Sequence, residues 1–377
     1  MLQSVNRALR KCARKVWRIW SVRRMAIKLC MWCAGNALKS DFDTIFQADI
    51  VRLDYFCRPR LRYMLREEAV WNYVRSWANG VNRRKLFPGF HPGIYLEQHG
   101  VERAGGDPLA DYLRAGQPEG PWNFGLITSN DEVKPLPPKL RIGLHIHVYY
   151  PEIFPEIVQR LKRNRVRPDL LISVSNESAR IEVASFLDTY EGGAVDIRVV
   201  PNRGRDIGPF LTEFGETIQQ NYDLIGHLHT KKTVDLKDST GSDWYQFLLE
   251  NLVGGQAPMA DIILGRMVDD LDVKLVFPDD PNVVGWEKNF LIGNTILSGL
   301  GIKYSYRELC FPIGTMFWAR TAGLKALWDM NLCWEDYPEE PLPYDGSLLH
   351  ALERLFGILP VYNGGTVLLT NVSGCTR

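Results

Sequence analysis

Residues 196–233, DIRVVPNRGRDIGPFLTEFGETIQQNYDLIGHLHTKKT, decide the fold. The apolar run 197–200 predicts a strand, residues 201–206 a sharp polar turn, residues 207–220 a helix and residues 224–228 a second strand. This order places the polar residues of the stretch at the carboxyl ends of its strands. Ligands of open α/β sheets bind at those ends, and cations and N–H donors there suit an anion such as a diphosphate.

Strands and helices alternate on both sides of this stretch. Before it, we expect strands at 141–148 and 169–174, and helices at 155–162 and 178–190. Alternation of this kind predicts a parallel sheet with right-handed crossovers. After it, we expect helices at 244–252, near 262–267, at 322–330 and at 345–355, strands at 273–277 and 310–320, the latter bent at Gly314, and one or two strands within 359–369.

The composition is typical of a globular protein. The 377 residues are 45% hydrophobic and 24% charged, with a formal net charge of +1. Because nucleic-acid-binding proteins are usually basic, we expect no nucleic acid partner. No apolar run of about 18 residues is present, so no spanning helix is predicted. The seven cysteines lack the spacing of a zinc site, which indicates reduced thiols in the cytosol.

Three regions are expected along the chain. Residues 1–34 hold nine Lys and Arg, no acid and several tryptophans, a pattern typical of a helix that lies on a membrane surface. The alternative is a surface helix packed on the protein. Residues 35–134 have aromatic residues at helical spacing and predict a helical module. A proline-rich linker over 125–139 leads to the α/β domain, residues 140–377.

Asn202, Arg203, Gly204, Arg205 and Asp206 form the turn after the third strand. Two arginines can donate bidentate hydrogen bonds to phosphate, and a glycine lets a ligand approach the backbone closely. The aspartate could orient an arginine, bind a ribose or base edge, or cap the helix that follows. Turns of this composition are more often only turns, so both interpretations stay open.

A second polar cluster, His227, His229, Lys231 and Lys232, follows the next strand. The period of two places both imidazoles on one face of the sheet, as it does for the HIH sequence of 145–147. Three interpretations are open. The cluster could clamp a diphosphate, ligate a metal ion with help from the carboxylates of the following loop, or consist of hydrogen-bonded core histidines beside solvated lysines.

Asp345 is the candidate general base. It opens a predicted helix and follows the loop 335–343, which holds four further carboxylates. Crowded carboxylates raise each other's pKa, which favours proton abstraction near neutral pH. The alternative is an N-cap, since aspartate is favoured at that position.

Five blocks carry a family resemblance. They are HIHVYYPE (145–152), NRGRDIGPFL (202–211), YDLIGHLHTKK (222–232), FPIGTMFWAR (311–320) and DGSLLHALERL (345–355). In this order they resemble the rhamnan synthesis protein F family of bacterial polysaccharide assembly, over about residues 140–357. The block DPLADYLRAGQPEG (107–120) is similar to sequences that accompany such domains.

The resemblance implies an A-type glycosyltransferase-like fold: α/β and Rossmann-like, a mostly parallel sheet with flanking helices, preceded by an α-helical N-terminal region. It implies an inverting enzyme that transfers rhamnose, or a related deoxyhexose, from a donor of the dTDP- or GDP-rhamnose class. The expected acceptor is a lipid-linked surface polysaccharide such as an O-antigen. The expected location is the inner face of the cytoplasmic membrane, as a peripheral protein.

By the same resemblance, His227 and His229 occupy the place of an Asp-x-Asp motif that holds a divalent metal and the diphosphate, and Asp345 that of the base. The metal-binding carboxylates are absent, so we assign no metal ligand. Mg²⁺ or Mn²⁺ remains an option, and Lys231 and Lys232 are candidate cationic substitutes. A glycine-rich strand borders the acceptor in such enzymes. The residues expected to shape a sugar or acceptor pocket are therefore Gly314, Thr315, Phe317 and Trp318, with a buried structural role for Phe317 as the alternative.

Two other functions are compatible with these residues. A non-catalytic glycan-binding or scaffolding module of a polysaccharide assembly complex would explain the missing Asp-x-Asp motif. A phosphosugar or nucleotide hydrolase would share a diphosphate site but need a metal ion to activate water.

Overall fold

The computed structural model describes residues 31–57, 64–99, 106–188, 190–230, 240–362 and 364–377, together with residues 22, 25, 27 and 29. Most of the basic segment 1–34 lies outside the described residues. So do Lys231 and Lys232, and the predictions made for them stay predictions.

An eight-stranded sheet forms the centre of the protein. Its strands are β1 (Gly125–Thr128), β2 (Ile142–Val148), β3 (Asp169–Val174), β4 (Val195–Val199), β5 (Leu224–Thr230), β6 (Val273–Pro278), β7 (Phe317–Arg320) and β8 (Thr366–Asn371). Their order is β1-β8-β6-β7-β5-β2-β3-β4. Strand β7 runs antiparallel to β5 and β6, and the other pairs are parallel. The predicted α/β class with a mostly parallel sheet is confirmed.

Helices lie on both faces of this sheet and in a separate module that precedes it in the chain. They are α1 (Asn36–Gln47), α2 (Leu53–Phe56), α3 (Arg66–Asn79), α4 (Pro92–Gln98), α5 (Pro108–Arg114), α6 (Phe154–Leu161), α7 (Glu177–Phe186), α8 (Gly215–Asn221), α9 (Thr240–Leu252), α10 (Met259–Asp269), α11 (Phe290–Gly299), α12 (Lys325–Trp328) and α13 (Leu348–Tyr362). One face packs against α6, α7, α9 and α10. The opposite face packs against α8, α11 and α13. Each face therefore has its own apolar core, as expected for strands buried on both sides.

The chain changes direction across the sheet at the pair β2–β5. From β2 it passes through α6 to β3 and through α7 to β4, moving towards one edge. It then crosses the opposite face through α8 and returns to β5, which lies on the other side of β2. Parallel strands that diverge in this way leave a crevice at their carboxyl ends, where ligands of α/β proteins bind.

Helices α1 and α3 to α5 form a module with a separate aromatic core. Local sequence explains their ends. Pro108 occupies the first turn of α5, and the Asp107 carboxylate caps that helix by accepting from the N–H groups of Leu109 and Ala110 at 2.9 and 3.1 Å. Helix α3 ends at Gly80 in the left-handed conformation, with φ of +66°.

Two segments before β5 differ from their predicted structure. The expected linker contains β1, which adds to the sheet edge by pairing in parallel with β8. Four residues are too few to show a strand period in sequence. The single helix expected over 207–220 is divided into a π-turn, Pro209–Glu213, and α8. The N–H of Phe214 donates to the Pro209 carbonyl at 3.0 Å, one residue further back than in an α-helix.

Three predictions for the last third need correction. The expected strand 310–320 is limited to β7, because Gly314 and Thr315 adopt positive φ of +88° and +57° and cannot continue an extended strand. One or two strands were expected within 359–369, and β8 is such a strand but begins only at Thr366. Residues 359–362 are instead the end of α13, which continues through Pro360, with Leu359 and Pro360 buried there. Helix α11 was not predicted, and the helix expected over 322–330 is a short 3₁₀ turn followed by α12.

Candidate functional site

Four histidines lie on the two strands that flank the crevice. Strand register places His145 opposite His227 and His147 opposite His229. As predicted from the period of two, all four rings project to one face of the sheet, the face that α8 covers. His145 and His227 are fully buried, whereas His147 and His229 retain 8% and 6% exposure. The outer pair, nearer the carboxyl ends, is therefore the pair that a ligand can reach.

Hydrogen bonds join three of these histidines to two further side chains. Nε2 of His227 lies 3.3 Å from a carboxylate oxygen of Asp206, and its Nδ1 lies 2.8 Å from Nδ1 of His145. Nε2 of His145 and Nδ1 of His147 lie 3.1 and 2.9 Å from the hydroxyl of Ser173. The five side chains form one continuous row, which we call the histidine row. It crosses β5, β2 and β3 and ends in the turn after β4.

Burial keeps His145 and His147 uncharged, and aromatic rings pack around the row. His145 and His227 stack at 5.0 Å, and Phe210 lies 4.6 Å from His227. Burial, and then the neighbouring His227, hold the pKa of His145 well below its usual range. Burial lowers the pKa of His147 to about 4. Both imidazoles are therefore neutral near pH 7, as expected for buried histidines.

His229 connects the crevice to helix α13. Its Nε2 donates to the Gly314 carbonyl at 2.7 Å, and the Gly314 N–H donates to the Glu353 carboxylate at 2.6 Å. Gly314 thus takes part in the site through its peptide groups, in a loop where its positive φ requires glycine.

The turn 202–206 does not hold its arginines free for phosphate. Nε of Arg203 donates to the Tyr337 carbonyl at 2.6 Å, and Nε of Arg205 pairs with Glu340 at 3.0 Å. Gly204 is needed for packing, because a Cβ there would lie 2.8 Å from the Cα of Gly208. The loop 335–343 therefore occupies the groups that were expected to approach a ligand.

Asn202 and Asp206 face different surroundings within this turn. Asn202 is exposed, and its position leaves it accessible to a ligand. Asp206 accepts a hydrogen bond from His227, a role that was not among the three weighed from sequence. Its carboxylate helps to orient that imidazole.

Asp345 makes its hydrogen bonds with residues outside the histidine row. Its carboxylate accepts from the side-chain amide of Asn289 at 2.6 Å and from the N–H of Lys288 at 3.3 Å. The N-cap interpretation is wrong, since the hydroxyl of Ser347 accepts from the N–H of His350 at the start of α13. Asp345 instead holds the turn before α11.

The expected pKa of Asp345 is also wrong in direction. Partial burial raises the pKa of this carboxyl, but hydrogen bonds from Asn289, Lys288 and Gly346 outweigh burial and hold it below the ordinary value. Asp345 is therefore ionised near neutral pH and available to accept a proton, although it is a weaker base than crowding predicted.

Two residues expected in the sugar pocket belong to the core. Phe317 and Trp318 are fully buried on opposite faces of β7, and the indole N–H of Trp318 donates to the Leu252 carbonyl at 3.0 Å. The alternative of a structural role for Phe317 was right. Thr315 is buried with a positive φ beside Gly314, so it shapes the loop under His229.

The described residues do not form a metal site. Within them, no group of three or more His, Cys, Asp or Glu side chains is arranged to hold a metal ion. In the histidine row, the ring nitrogens of His145 and His227 are already bonded to each other and to neighbouring oxygens. These side chains do not fit Mg²⁺ or Mn²⁺, which prefer carboxylate, carbonyl and water oxygens.

Sequence reasoning missed three members of the histidine row as site residues. His145 and His147 were recognised as sharing one side of a strand, but they were not joined to the cluster on the later strand. Ser173 carries no sequence signal of its own. The two His-x-His patterns at 145–147 and 227–229, each at the end of an apolar run, were the available signal.

Comparison with known proteins identifies the family to which the chain belongs. The family described as "Rhamnan synthesis protein F" matches residues 120–364. Two curated relatives, both named "Uncharacterized protein WxcX" and found in Xanthomonas campestris pv. campestris strains B100 and ATCC 33913, are 29% and 28% identical to the chain over 227 residues. The matched region covers 59% of this chain and 32% of each relative, so the chain spans about a third of their length.

Proposed function

Because the chain belongs to the rhamnan synthesis protein F family, we propose that it is a glycosyltransferase of bacterial polysaccharide synthesis. Its donor in this proposal is a nucleotide-activated rhamnose or related deoxyhexose, of the dTDP- or GDP-linked class. Its acceptor is a growing, lipid-linked surface polysaccharide. The family match and the mostly parallel, Rossmann-like sheet support this assignment.

The observation that carries the proposal is the position of the histidine row at the switch point between β2 and β5. Ligands of such sheets bind there. The donor would lie over the outer pair, His147 and His229, with its diphosphate next to Lys231 and Lys232, which follow β5 in sequence. Cations at that place stabilise the leaving diphosphate as its negative charge develops, which is usually a large catalytic contribution.

The turn 202–206 borders the same place. The ion pair between Arg205 and Glu340 is about one third exposed on each side chain, at 32% and 31%. An incoming diphosphate can compete with Glu340 for this arginine, since both present oxygen acceptors. Asn202, Gly204 and Arg203 would then border the nucleotide.

Asp345 is the proposed base. The acceptor hydroxyl oxygen would attack the anomeric carbon from the side opposite the diphosphate, and the bond from that carbon to the diphosphate oxygen would break as Asp345 takes the hydroxyl proton. Attack from the opposite side inverts the anomeric configuration. The lowered pKa of Asp345 keeps the carboxylate ionised for this step.

A membrane surface is the proposed location of the reaction, on the cytoplasmic side. No helix of the described part of the chain has the length and apolar character needed to cross a membrane. The helical residues Val22, Met25, Leu29 and Trp32 are exposed at helical spacing, Trp32 by 78%. An exposed apolar stripe within a basic segment supports docking in a lipid interface.

The rival function is a non-catalytic glycan-binding module. The observation in its favour is that Arg203 and Arg205 are held by the loop 335–343. In that function the loop would keep the turn closed and no donor would bind.

The test is release of nucleoside diphosphate from a panel of dTDP-, GDP- and UDP-linked sugars, measured with membrane acceptor lipids, with and without Mg²⁺ or Mn²⁺. We expect one rhamnose donor to be turned over. Asp345→Asn should lower turnover by about 10²- to 10⁴-fold and leave donor binding intact. Asp329→Asn, which changes an exposed carboxylate paired with Lys325, is the matched control. Absence of both donor binding and turnover across the panel would favour the rival.

A further inference from the structure

The histidine row has two different ends. At one end Asp206 supplies a carboxylate, which can only accept hydrogen bonds while it is ionised. At the other end His147 uses Nδ1 to contact Ser173, and within the described residues its Nε2 has no hydrogen-bond partner. His147 retains 8% exposure at the carboxyl end of β2, and its Nε2 is not among the fully buried polar atoms of the described residues that lack a partner.

The carboxylate fixes the direction of the first two hydrogen bonds. Since Asp206 accepts, Nε2 of His227 carries the hydrogen and donates. A neutral imidazole has one N–H, so Nδ1 of His227 is an acceptor. Nδ1 of His145 must then carry the hydrogen and donate to it across 2.8 Å.

The same logic continues through the serine. Neutral His145 with its hydrogen on Nδ1 has an acceptor at Nε2, so the Ser173 hydroxyl donates to it at 3.1 Å. That hydroxyl oxygen is left to accept, and Nδ1–H of His147 donates to it at 2.9 Å. Nε2 of His147 is then unprotonated and presents a lone pair.

We propose that the histidine row is a directional relay through which Asp206 makes His147 a hydrogen-bond acceptor for a hydroxyl group of the ligand. Asp206, His227, His145 and Ser173 are positioning residues, and His147 is the residue that touches the ligand. An unprotonated nitrogen accepts from a hydroxyl and repels the acceptor oxygens of a phosphate. The relay therefore recognises a sugar or ribose hydroxyl and leaves the diphosphate to the cations beside it.

The buried position of the row supports a fixed direction. His145 is fully buried and neutral near pH 7, and His147 is neutral down to about pH 4. An extra proton on Nδ1 of His227 would reverse the three bonds from His227 through His145 and Ser173 to His147, and would turn Nε2 of His147 into a donor. The two arrangements are therefore distinguishable by where the hydrogen of His147 lies.

The identity of the ligand rests on the proposed function, whereas the direction of the relay does not. The first measurement is long-range ¹H–¹⁵N correlation on the full chain with ¹⁵N-labelled histidine, with a His147→Gln variant to assign the resonances. We expect hydrogen on Nδ1 of His145 and His147, and on Nε2 of His227. Hydrogen on Nε2 of His147 in the free protein overturns the relay.

The second measurement adds three probes to the same sample: pyrophosphate, a nucleoside diphosphate and the corresponding nucleotide-rhamnose. A shift of the His147 Nε2 resonance with the nucleoside diphosphate assigns a ribose hydroxyl, and a shift only with the nucleotide-rhamnose assigns a sugar hydroxyl. Pyrophosphate should leave it unchanged. If calorimetry shows binding but this nitrogen does not respond, hydroxyl recognition is wrong. If no probe binds, the proposed donor is wrong and hydroxyl recognition fails with it, while the tautomer pattern still decides the direction of the relay.

Ser173→Ala interrupts the row between His145 and His147. We expect a mixed His147 tautomer and about a tenfold loss in nucleotide-rhamnose affinity, the scale of one hydrogen bond. Ser175→Ala, two residues further along and in contact with Asn176, is the matched control and should change neither. Ser173→Thr keeps the hydroxyl and should restore the tautomer if the alanine variant folds poorly. Unchanged affinity and tautomer in Ser173→Ala would overturn the proposal.

Discussion

Two polar clusters lie along the same edge of the sheet and differ in how they are used. At the carboxyl end of β6, Asp279 forms an ion pair with Lys85 of the helical module and accepts from the Gly89 N–H at 2.7 Å. Next to it Asp280 pairs with Arg377. At the carboxyl ends of β2 and β5, by contrast, the histidine row is neutral through His145 and His147 and ends in the crevice.

Polar residues at strand ends therefore do not by themselves mark a ligand site. The β6 cluster is charged, and its charges are neutralised by other parts of the same chain. We call it the β6 junction. The histidine row leaves a ring nitrogen of its terminal member without a partner among the described residues. A structural role is complete in the first region, and we propose that a ligand completes the second.

The largest expected effect is a loss of stability when the ion pair of the β6 junction is broken. Lys85→Met leaves the buried Asp279 without its cation, and breaking a buried pair costs about 3–5 kcal/mol. The pKa of Lys85 is raised despite its burial, mainly through Asp279, so the lysine is charged in the folded protein. Denaturant unfolding of the variant should show the loss.

The control is the double variant Lys85→Met, Asp279→Leu. Removal of both charges leaves no buried ion, so most of the lost free energy of unfolding should return. If the double variant is as unstable as the single one, packing and not charge holds the β6 junction together.

The second prediction concerns the loss of folding stability at acid pH. Folded His147 has a pKa of about 4 and the unfolded chain has the ordinary value near 6.5, so the unfolded state binds more protons between those values. Stability is therefore full above about pH 6.5 and falls as pH drops towards 4. His147 contributes on the order of 3 kcal/mol to that loss, from 1.36 kcal/mol per pKa unit, and His145 adds in the same direction.

Denaturant midpoints at pH 7, 6, 5 and 4.5 test this loss. The slope of stability against pH should be smaller in His147→Gln than in the unchanged protein. Equal slopes would show that the acid sensitivity comes from elsewhere, for instance from the buried His91, whose pKa burial also holds well below its usual range.

The third prediction concerns the positive charge of Lys231, which follows β5 in sequence. Lys231→Ala should weaken binding of the nucleotide-sugar by about tenfold, or 1.4 kcal/mol, since it removes one charge near the diphosphate. Lys303→Ala changes an exposed lysine elsewhere and serves as the control in calorimetry. If both variants bind the donor equally well, the diphosphate does not lie beside the end of β5.

The smallest effect is expected for the ion pair between Arg205 and Glu340. Both side chains are about one third exposed, and exposed pairs contribute about 0–1 kcal/mol. Glu340→Gln should therefore leave the unfolding free energy nearly unchanged. Because it also releases Arg205, donor binding should strengthen, whereas weaker binding would show that the closed loop is part of the site.

The strands were predictable because their apolar runs are bounded by clear turn residues. The segments that failed depend on tertiary contacts. Strand β1 exists because β8 offers it an edge, and α13 passes Pro360 because its neighbours are buried. Neither partner is visible in the local sequence, which is where propensity rules operate.

The site was predictable only in part. The face shared by His227 and His229 followed from the period of two, but the bonds to His145 and Ser173 depend on the order β5-β2-β3, which sequence periodicity does not give. The pKa of Asp345 was predicted with the wrong sign because proximity in sequence was taken for proximity in space. Asn289, fifty-six residues away, sets its hydrogen bonding.

A crystal structure of the protein with a bound nucleotide-rhamnose or nucleoside diphosphate would locate the ligand itself. We expect the diphosphate at the carboxyl ends of β2 and β5, with a hydroxyl of the ligand within about 3 Å of Nε2 of His147 and the β6 junction unchanged. A ligand seated at the β6 junction, or one in the crevice whose phosphate oxygens contact Nε2 of His147, would overturn the proposal.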